Sequence, residues 1–178
     1  MKRVGIILAL SMLFGLLSAS VALAAVAPGT YTPTADSFNP ANAPGSSHLT
    51  SGTPQCVVDA NRNVNCSAYV LGGVGHTNAD VNLTASYSAT IDCTNKGGNL
   101  VESHTANFSA DSTATVTSSK NGQLSVPAES ASPFSAPQVC PNPNWTPSIR
   151  GGTVTLNSFT YTLTFAGFTA AYITITAS

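Results

Sequence analysis

Charged side chains are scarce in this chain, since only 7% of its 178 residues are Asp, Glu, Lys or Arg. Beyond residue 24 the cations are Arg62, Lys96, Lys120 and Arg150, which stand against seven acidic residues for a formal net charge of −3. Nucleic acids and anionic membranes are bound largely through clustered Lys and Arg. Four scattered cations therefore argue against both as partners.

Catalytic signatures are also missing. The chain has no Gly-x-Ser-x-Gly nucleophile elbow, and Ser103, His104 and Asp80 could be assembled into a hydrolase triad only on paper. Glu102 and Glu129 are the only glutamates, and nothing in their positions suggests a glycosidase pair. We therefore predict that the protein is not an enzyme and uses no cofactor.

Metal-binding patterns are absent as well. Zinc sites need short paired spacings such as C-x2-C, which the chain lacks. Asn78, Asp80 and Asp92 offer the oxygen ligands that calcium prefers, but they follow no EF-hand or repeat spacing. No metal site is predicted.

The first residues have the pattern of an export signal. Lys2 and Arg3 precede an apolar run from Val4 to Leu17, and Ala22-Leu23-Ala24 follows as a peptidase site. The run is shorter than the roughly 20 residues that a membrane helix needs. We predict a signal peptide over residues 1–24, with Ala27 as a second cleavage point, and a secreted protein with no membrane span in its mature chain.

The four cysteines form an even set, which in an exported chain predicts two disulfides. Of the three connectivities, we favour Cys56–Cys66 and Cys93–Cys140. The first pair flanks a turn-rich stretch between two valine-containing segments, and the second would tie together two similar loops. No C-x-x-C motif or basic neighbour suggests a redox role.

The strongest periodic pattern lies between Val81 and Cys93, where apolar and polar residues alternate strictly. Such alternation predicts a strand with one buried face. Shorter patterns predict strands over residues 66–70, 108–116, 124–126, 154–165 and 172–176. Asn121-Gly122 predicts a hairpin between two of them, and the change of parity at Asn157-Ser158 predicts a β-bulge.

Roughly eight strands with Gly, Pro and Asn between them predict an all-β fold, an antiparallel immunoglobulin-like β-sandwich stapled by the two disulfides. After the signal peptide, residues 25–54 are rich in Pro, Ser and Thr and are predicted as an edge strand or linker. Residues 55–178 are predicted to form the sandwich domain.

Trp145, the only tryptophan, lies five residues from Cys140. Packed on a disulfide it would be a core element, and exposed on a loop it would be a ligand platform. Together with Asn95, Asn142 and Asn144 it forms the candidate ligand-binding set.

The segments Cys93-Thr94-Asn95-Lys96-Gly97-Gly98-Asn99 and Cys140-Pro141-Asn142-Pro143-Asn144-Trp145 resemble the CTNxGGN and CPNPNW motifs of small, uncharacterised exported proteins of Gram-positive bacteria, mostly actinobacteria. The likeness covers roughly residues 55–178 and departs in the proline-rich segment before Cys56. It implies an extracellular β-sandwich and transfers no catalytic residues.

We therefore predict a non-enzymatic structural or adhesive module of the cell envelope or matrix. Its partners would be an extracellular protein or polysaccharide surface, or a second copy bound through a sheet edge, with the proline-rich arm or the last strand as the edge. A carbohydrate-binding domain, with Trp145 and Tyr69 or Tyr172 as stacking surfaces, is the first alternative. A secreted enzyme inhibitor that presents loop 93–99 or loop 140–147 is the second.

Overall fold

The computed structural model describes residues 25–178, and the predicted signal peptide over 1–24 lies outside this range. The described chain is all-β with antiparallel strands, as the sequence predicts. The strands are β1 (Gly29–Tyr31), β2 (His48–Gly52), β3 (Cys56–Val58), β4 (Val64–Cys66), β5 (Tyr69–Gly72), β6 (Ala79–Thr94), β7 (Leu100–Val116), β8 (Leu124–Val126), β9 (Glu129–Ala131), β10 (Thr146–Ile149), β11 (Thr155–Phe165) and β12 (Ile173–Ala177).

The strands form three sheets. A four-stranded sheet has the order β1-β3-β4-β9, and a three-stranded sheet has the order β2-β5-β8. The third, which we call the long sheet, contains β6, β7, β10, β11 and β12. Along one side of β6, β11 pairs with residues 79–88 and β10 pairs with residues 91–94, while β7 pairs along the other side.

The strict alternation in β6 is confirmed, because every second residue from Ala79 to Cys93 is buried and the intervening ones are not. The predicted bulge is confirmed too, since the register between β11 and β6 shifts between Leu156 and Ser158. The shift allows Leu156 and Phe159 to be buried on the same face despite their different parity.

The main core includes side chains from all three sheets, among them Val64, Leu71, Leu83 and Leu163. A smaller cluster, which we call the outer cluster, lies nearer the turn of the β6–β7 hairpin. It is built on Ala89, Ile91 and Cys93.

Both predicted disulfides are confirmed: Cys56 is bonded to Cys66 and Cys93 to Cys140. The first pair lies directly opposite across β3 and β4. The second ties the outer end of β6 to the segment that leads into β10.

Two predictions about strands are wrong. The pattern over residues 66–70 is not one strand, because β4 ends at Cys66 in the four-stranded sheet and β5 begins at Tyr69 in the three-stranded sheet. The turn at Asn121-Gly122 does not join a hairpin either, since β8 pairs with β5 and not with β7. In both cases the chain crosses between sheets where the local pattern suggested continuity.

Residues 25–54 contribute two strands, because β1 pairs with β3 and β2 pairs with β5. Val26 and Ala43 from this segment are buried in the main core. The segment is thus part of the packed structure. The immunoglobulin-like arrangement of the strands stays a prediction.

Candidate functional site: the free edge of the long sheet

The longest strand within residues 25–178 is β7, and we call its side away from β6 the β7 edge. β7 has 17 residues, and its whole ladder runs along β6, from Ala79 opposite Val116 to Thr94 opposite Leu100. At about 3.4 Å per residue the strand extends over roughly 54 Å. Within residues 25–178, no other strand pairs with it.

The peptide groups on the outer side of β7 have no backbone partner. Within residues 25–178, the backbone hydrogen bonds made outside the strand ladders include none from residues 100–116. Alternate N–H and C=O groups of a strand point to opposite sides, so about half of those in β7 point away from β6. Such a row of unpaired groups can accept another strand.

The sequence at the tip of the hairpin holds β7 against β6. The side-chain oxygen of Asn95 accepts hydrogen bonds from the backbone N–H groups of Gly97 and Asn99, at 2.9 and 3.1 Å. Gly98 follows with a φ of 76°, a left-handed conformation that glycine adopts without strain. This turn directs the chain back along β6 and begins the ladder at Leu100.

Side-chain hydrogen bonds also hold the end of β7 that lies near the hairpin turn. Arg150 donates two hydrogen bonds to the carboxylate of Asp92, at 2.6 and 3.1 Å, and Ser103 on β7 donates one to the same carboxylate at 2.7 Å. The hydrogen bonds from Arg150 and Ser103 lower the pKa of Asp92 below its ordinary value. These bonds join β6, β7 and the residue that follows β10, near the hairpin turn of the long sheet.

The opposite edge of the long sheet is partly covered. The backbone N–H of Thr34 donates to the carbonyl of Thr174, and that of Phe38 donates to the carbonyl of Tyr172, at 2.8 and 2.7 Å. The hydroxyl of Ser37 both donates to the carbonyl and accepts from the N–H of Thr174. Residues 34–38 therefore cover the last strand at Tyr172 and Thr174, whereas β1 and β2 of the N-terminal segment lie at the ends of their own sheets.

Beyond a bulge at Val101 and the inward-facing Glu102, both near the hairpin turn, β7 has few of the features that commonly protect an edge strand. Lysine, proline, bulges and short length all discourage pairing with another chain. Residues 102–116 contain no Lys, Arg or Pro and pair with β6 without a register shift, whereas the shift between Cys93 and Thr94 leaves Val101 as a bulge at the start of the strand. By contrast, β10 has four residues and contains Pro147. The β7 edge is therefore long and, over residues 102–116, regular.

The candidate ligand-binding residues come together at the tip of the hairpin, because Thr146 pairs with Thr94 and Cys140 is bonded to Cys93. The side-chain oxygen of Asn142 accepts from the backbone N–H of Asn144 at 2.9 Å, as that of Asn95 does in its own turn. Asn95 and Asn142 thus shape their loops. Asn144 is exposed.

The aromatic residues suggested for stacking have other contacts. Trp145 is partly buried and packs on the outer cluster, which includes Cys93 and Cys140. Tyr69 is buried, and its hydroxyl bonds to that of Tyr161. Tyr172 is also buried and donates to the carbonyl of Ser47. Tyr69 and Tyr172 are therefore unavailable as stacking surfaces.

The acidic and nucleophilic residues considered for catalysis are far apart. Asp80 pairs with Thr115, twelve residues or roughly 41 Å along β7 from Ser103. Glu129 accepts a hydrogen bond from Ser112, ten residues or about 34 Å along the strand from Glu102. Neither the triad nor the glutamate pair is assembled.

The possible calcium ligands are not all together, since Asp92 lies twelve residues along β6 from Asp80. Asn78 accepts from the backbone N–H of Ser118, and Asp80 accepts from the hydroxyl of Thr115. Within the described residues, no three His, Cys, Asp or Glu side chains are grouped to hold a metal ion. In the same range, no helix has the length and apolar character to cross a membrane.

A cleft of about 600 Å³ lies among the loops over residues 44–46, 73–77 and 120–122. His76 and Lys120 line it, and both side chains are exposed. The remaining lining contains four glycines and the polar residues Ser46, Thr77 and Asn121.

No family model, curated protein or solved structure matches the chain. The likeness of the two cysteine-containing segments to exported actinobacterial proteins therefore stays a prediction.

Proposed function

We propose that this is a secreted, non-enzymatic structural or adhesive protein of the cell envelope or matrix, and that it acts by surface contact through the β7 edge. The observation that carries the proposal is the 17-residue strand whose outer side has no partner within the described residues. Addition of a strand to such an edge supplies main-chain hydrogen bonds for affinity and side-chain contacts for specificity.

The remaining features fit an extracellular role. Two disulfides are typical of proteins in oxidising compartments, and the first 24 residues have the pattern of a signal peptide. A low-charge surface rich in Ser and Thr suits contact with neutral extracellular material. These features support export.

The test is to separate a native culture into medium, washed cells and insoluble matrix, and to follow the protein by non-reducing gels. The edge variant carries Asn107→Lys and Ser109→Lys, two exposed positions on β7. The matched control carries Asn82→Lys and Thr84→Lys, two exposed positions with the same spacing on β6. Lysine on an edge strand discourages pairing, whereas on the interior strand β6 it leaves the edge unchanged.

We expect the unmodified protein and the control to remain with cells or matrix, and the edge variant to move to the medium. Circular dichroism of both variants checks that they fold. Equal retention of the edge variant and the control would contradict the proposal.

The inhibitor alternative has one specific observation in its favour. The loops over residues 93–99 and 140–147 are held by the Cys93–Cys140 bond and by the Asn95 and Asn142 turns. Loops that are already ordered lose little entropy on binding. A free monomer in the medium, with no retention of any variant, would favour this second function.

A further inference from the structure

Three tight turns meet at the cleft over residues 44–46, 73–77 and 120–122. In each turn the backbone N–H of the fourth residue donates to the carbonyl of the first. These bonds close the turns Pro44 to Ser47, Val74 to Thr77 and Ser119 to Gly122, at 2.9, 3.2 and 3.0 Å. Each segment is thus a β-turn, and its two central residues line the cleft.

The central residues supply free backbone donors. A β-turn uses the N–H of its fourth residue and leaves the N–H groups of its two central residues unbonded. Within residues 25–178, the backbone hydrogen bonds of turns and loops include none donated by these six residues, which are Gly45, Ser46, Gly75, His76, Lys120 and Asn121. Backbone N–H groups brought together by turns form concave sites that bind anions.

Hydrogen bonds between the turns hold the cleft in shape. The hydroxyl of Ser46 donates to the carbonyl of Gly73 at 2.9 Å, and the N–H of Val74 donates to the carbonyl of Gly122 at 3.0 Å. Gly73 has a φ of 71°, and a Cβ atom there would lie 2.1 Å from the carbonyl oxygen of Ser46. Only glycine allows this close approach. Val74 is buried in the main core, so the turns are anchored to the fold.

The charges of the lining favour an anion. Lys120 and His76 both line the cleft, whereas no acidic residue does, although the chain beyond residue 24 has a net charge of −3. Within residues 25–178, Lys120 belongs to no ion pair, in contrast to Arg150, which is paired with Asp92. Lysine provides three donors, and the histidine ring provides at least one N–H in either protonation state.

We propose that this cleft binds a phosphate group carried by a small polyol or sugar. A phosphate monoester presents three strong acceptor oxygens, which suits donors that come from three separate turns. The volume of about 600 Å³ exceeds that of one phosphate and lies in the range of small-molecule sites, so the carrier fits beside it. The site goes beyond the proposed function, since no residue of β7 lines the cleft.

The test is a titration of the mature chain, with both disulfides formed, followed by the NMR signals of its backbone amides. The probe is glycerol 3-phosphate at low ionic strength, where exposed charges are screened least. We expect the six central amides of the turns to shift along one saturable curve, with glycerol causing no shift and inorganic phosphate binding more weakly. Equal affinity for inorganic phosphate would overturn recognition of the carrier, and equal affinity for glucuronate would overturn the assignment of phosphate.

A pair of lysine variants separates the site from general surface charge. Lys120→Glu is compared with Lys96→Glu, which changes the charge equally at another exposed turn. Lys96 lies beyond the far end of β6, roughly 50 Å along the strand from the cleft and well outside the range of screened charges. Thermal unfolding checks that both variants fold.

Lys120→Glu should weaken binding of glycerol 3-phosphate by at least about tenfold, since it removes a charged donor, and Lys96→Glu should leave it unchanged. Equal loss in the two variants, or shifts around Lys96 as large as those in the cleft, would overturn the site. The edge variant with Asn107→Lys and Ser109→Lys should bind the probe normally, so this proposal and the proposed function fail separately.

Discussion

The hydroxyls of Tyr69 and Tyr161 are hydrogen-bonded to each other at 2.9 Å inside the core, where both side chains are almost fully buried. Tyr69 belongs to the three-stranded sheet and Tyr161 to the long sheet. The bond therefore crosses between two sheets and satisfies two polar groups that have left water. It links the packing of the core to the sheet that carries the β7 edge.

Replacing one of these tyrosines by phenylalanine should lower the free energy of unfolding more than replacing both. Tyr161→Phe leaves the Tyr69 hydroxyl buried without its partner, a loss of about 1–3 kcal/mol in the free energy of unfolding. The double variant Tyr69→Phe with Tyr161→Phe removes both hydroxyls and should be closer to the unmodified protein. Urea unfolding measures all three, and a double variant that loses the sum of the single losses would contradict this account.

Stability should fall at alkaline pH. Burial raises the pKa of Tyr161 from its ordinary 10.0 to about 12, and burial raises the pKa of Tyr69 still further. The unfolded chain releases these protons near pH 10 while the folded chain keeps them, so the stabilisation is complete below pH 10 and is lost as the pH rises towards 12 and beyond.

Each group contributes a slope of up to about 1.4 kcal/mol per pH unit in that window. Urea unfolding between pH 8 and 11 should show a level region followed by a decline. The decline should be shallower in the double phenylalanine variant, and an identical slope would show that other groups cause it.

The two disulfides should stabilise different parts of the protein. Their loops of 10 and 47 residues predict contributions of about 3 and about 4 kcal/mol in the chain-entropy model. Because Trp145 packs beside Cys93 and Cys140, replacing this pair by alanine should also shift the tryptophan emission to longer wavelength. The matched variant without Cys56 and Cys66 should lose stability and keep its emission. The same emission shift in both variants would argue against a separate outer cluster.

Glu129 is buried and accepts a hydrogen bond from Ser112 on the inner face of β7. Ser112→Ala should lower the free energy of unfolding by about 1.5–3 kcal/mol, since the bond is made to a carboxylate. The control is Ser109→Ala, an exposed serine on the same strand, which should change stability by less than about 0.5 kcal/mol. Equal effects of the two variants would show that the contact with Glu129 contributes nothing.

The sequence predicts the interior strands well, because a half-buried strand leaves an alternating pattern. Between Val81 and Cys93 the pattern alone locates β6, and the parity change at Asn157-Ser158 locates a bulge. β2 leaves no such trace, since all five of its residues are exposed. Its position depends on pairing with β5, which no local pattern reveals.

The candidate site could not be predicted in the same way. Near the hairpin turn, Glu102 and His104 of β7 lie opposite buried residues of β6 while the apolar Leu100 and Val101 are exposed, so hydrophobic alternation fails there. Which edge is free depends on which strands pair, and the sequence suggested the last strand. Residues 34–38 cover that strand through backbone contacts made with residues more than a hundred positions away.

The most direct test of the central claim is hydrogen exchange at single-amide resolution across residues 100–116. In dilute protein, alternate amides of β7 should exchange rapidly while those paired with β6 stay protected. In protein retained on cells or matrix, the rapid set should become protected along the strand. Protection of every β7 amide in the dilute monomer, or exchange that does not change on retention, would contradict the assignment of this edge as the contact surface.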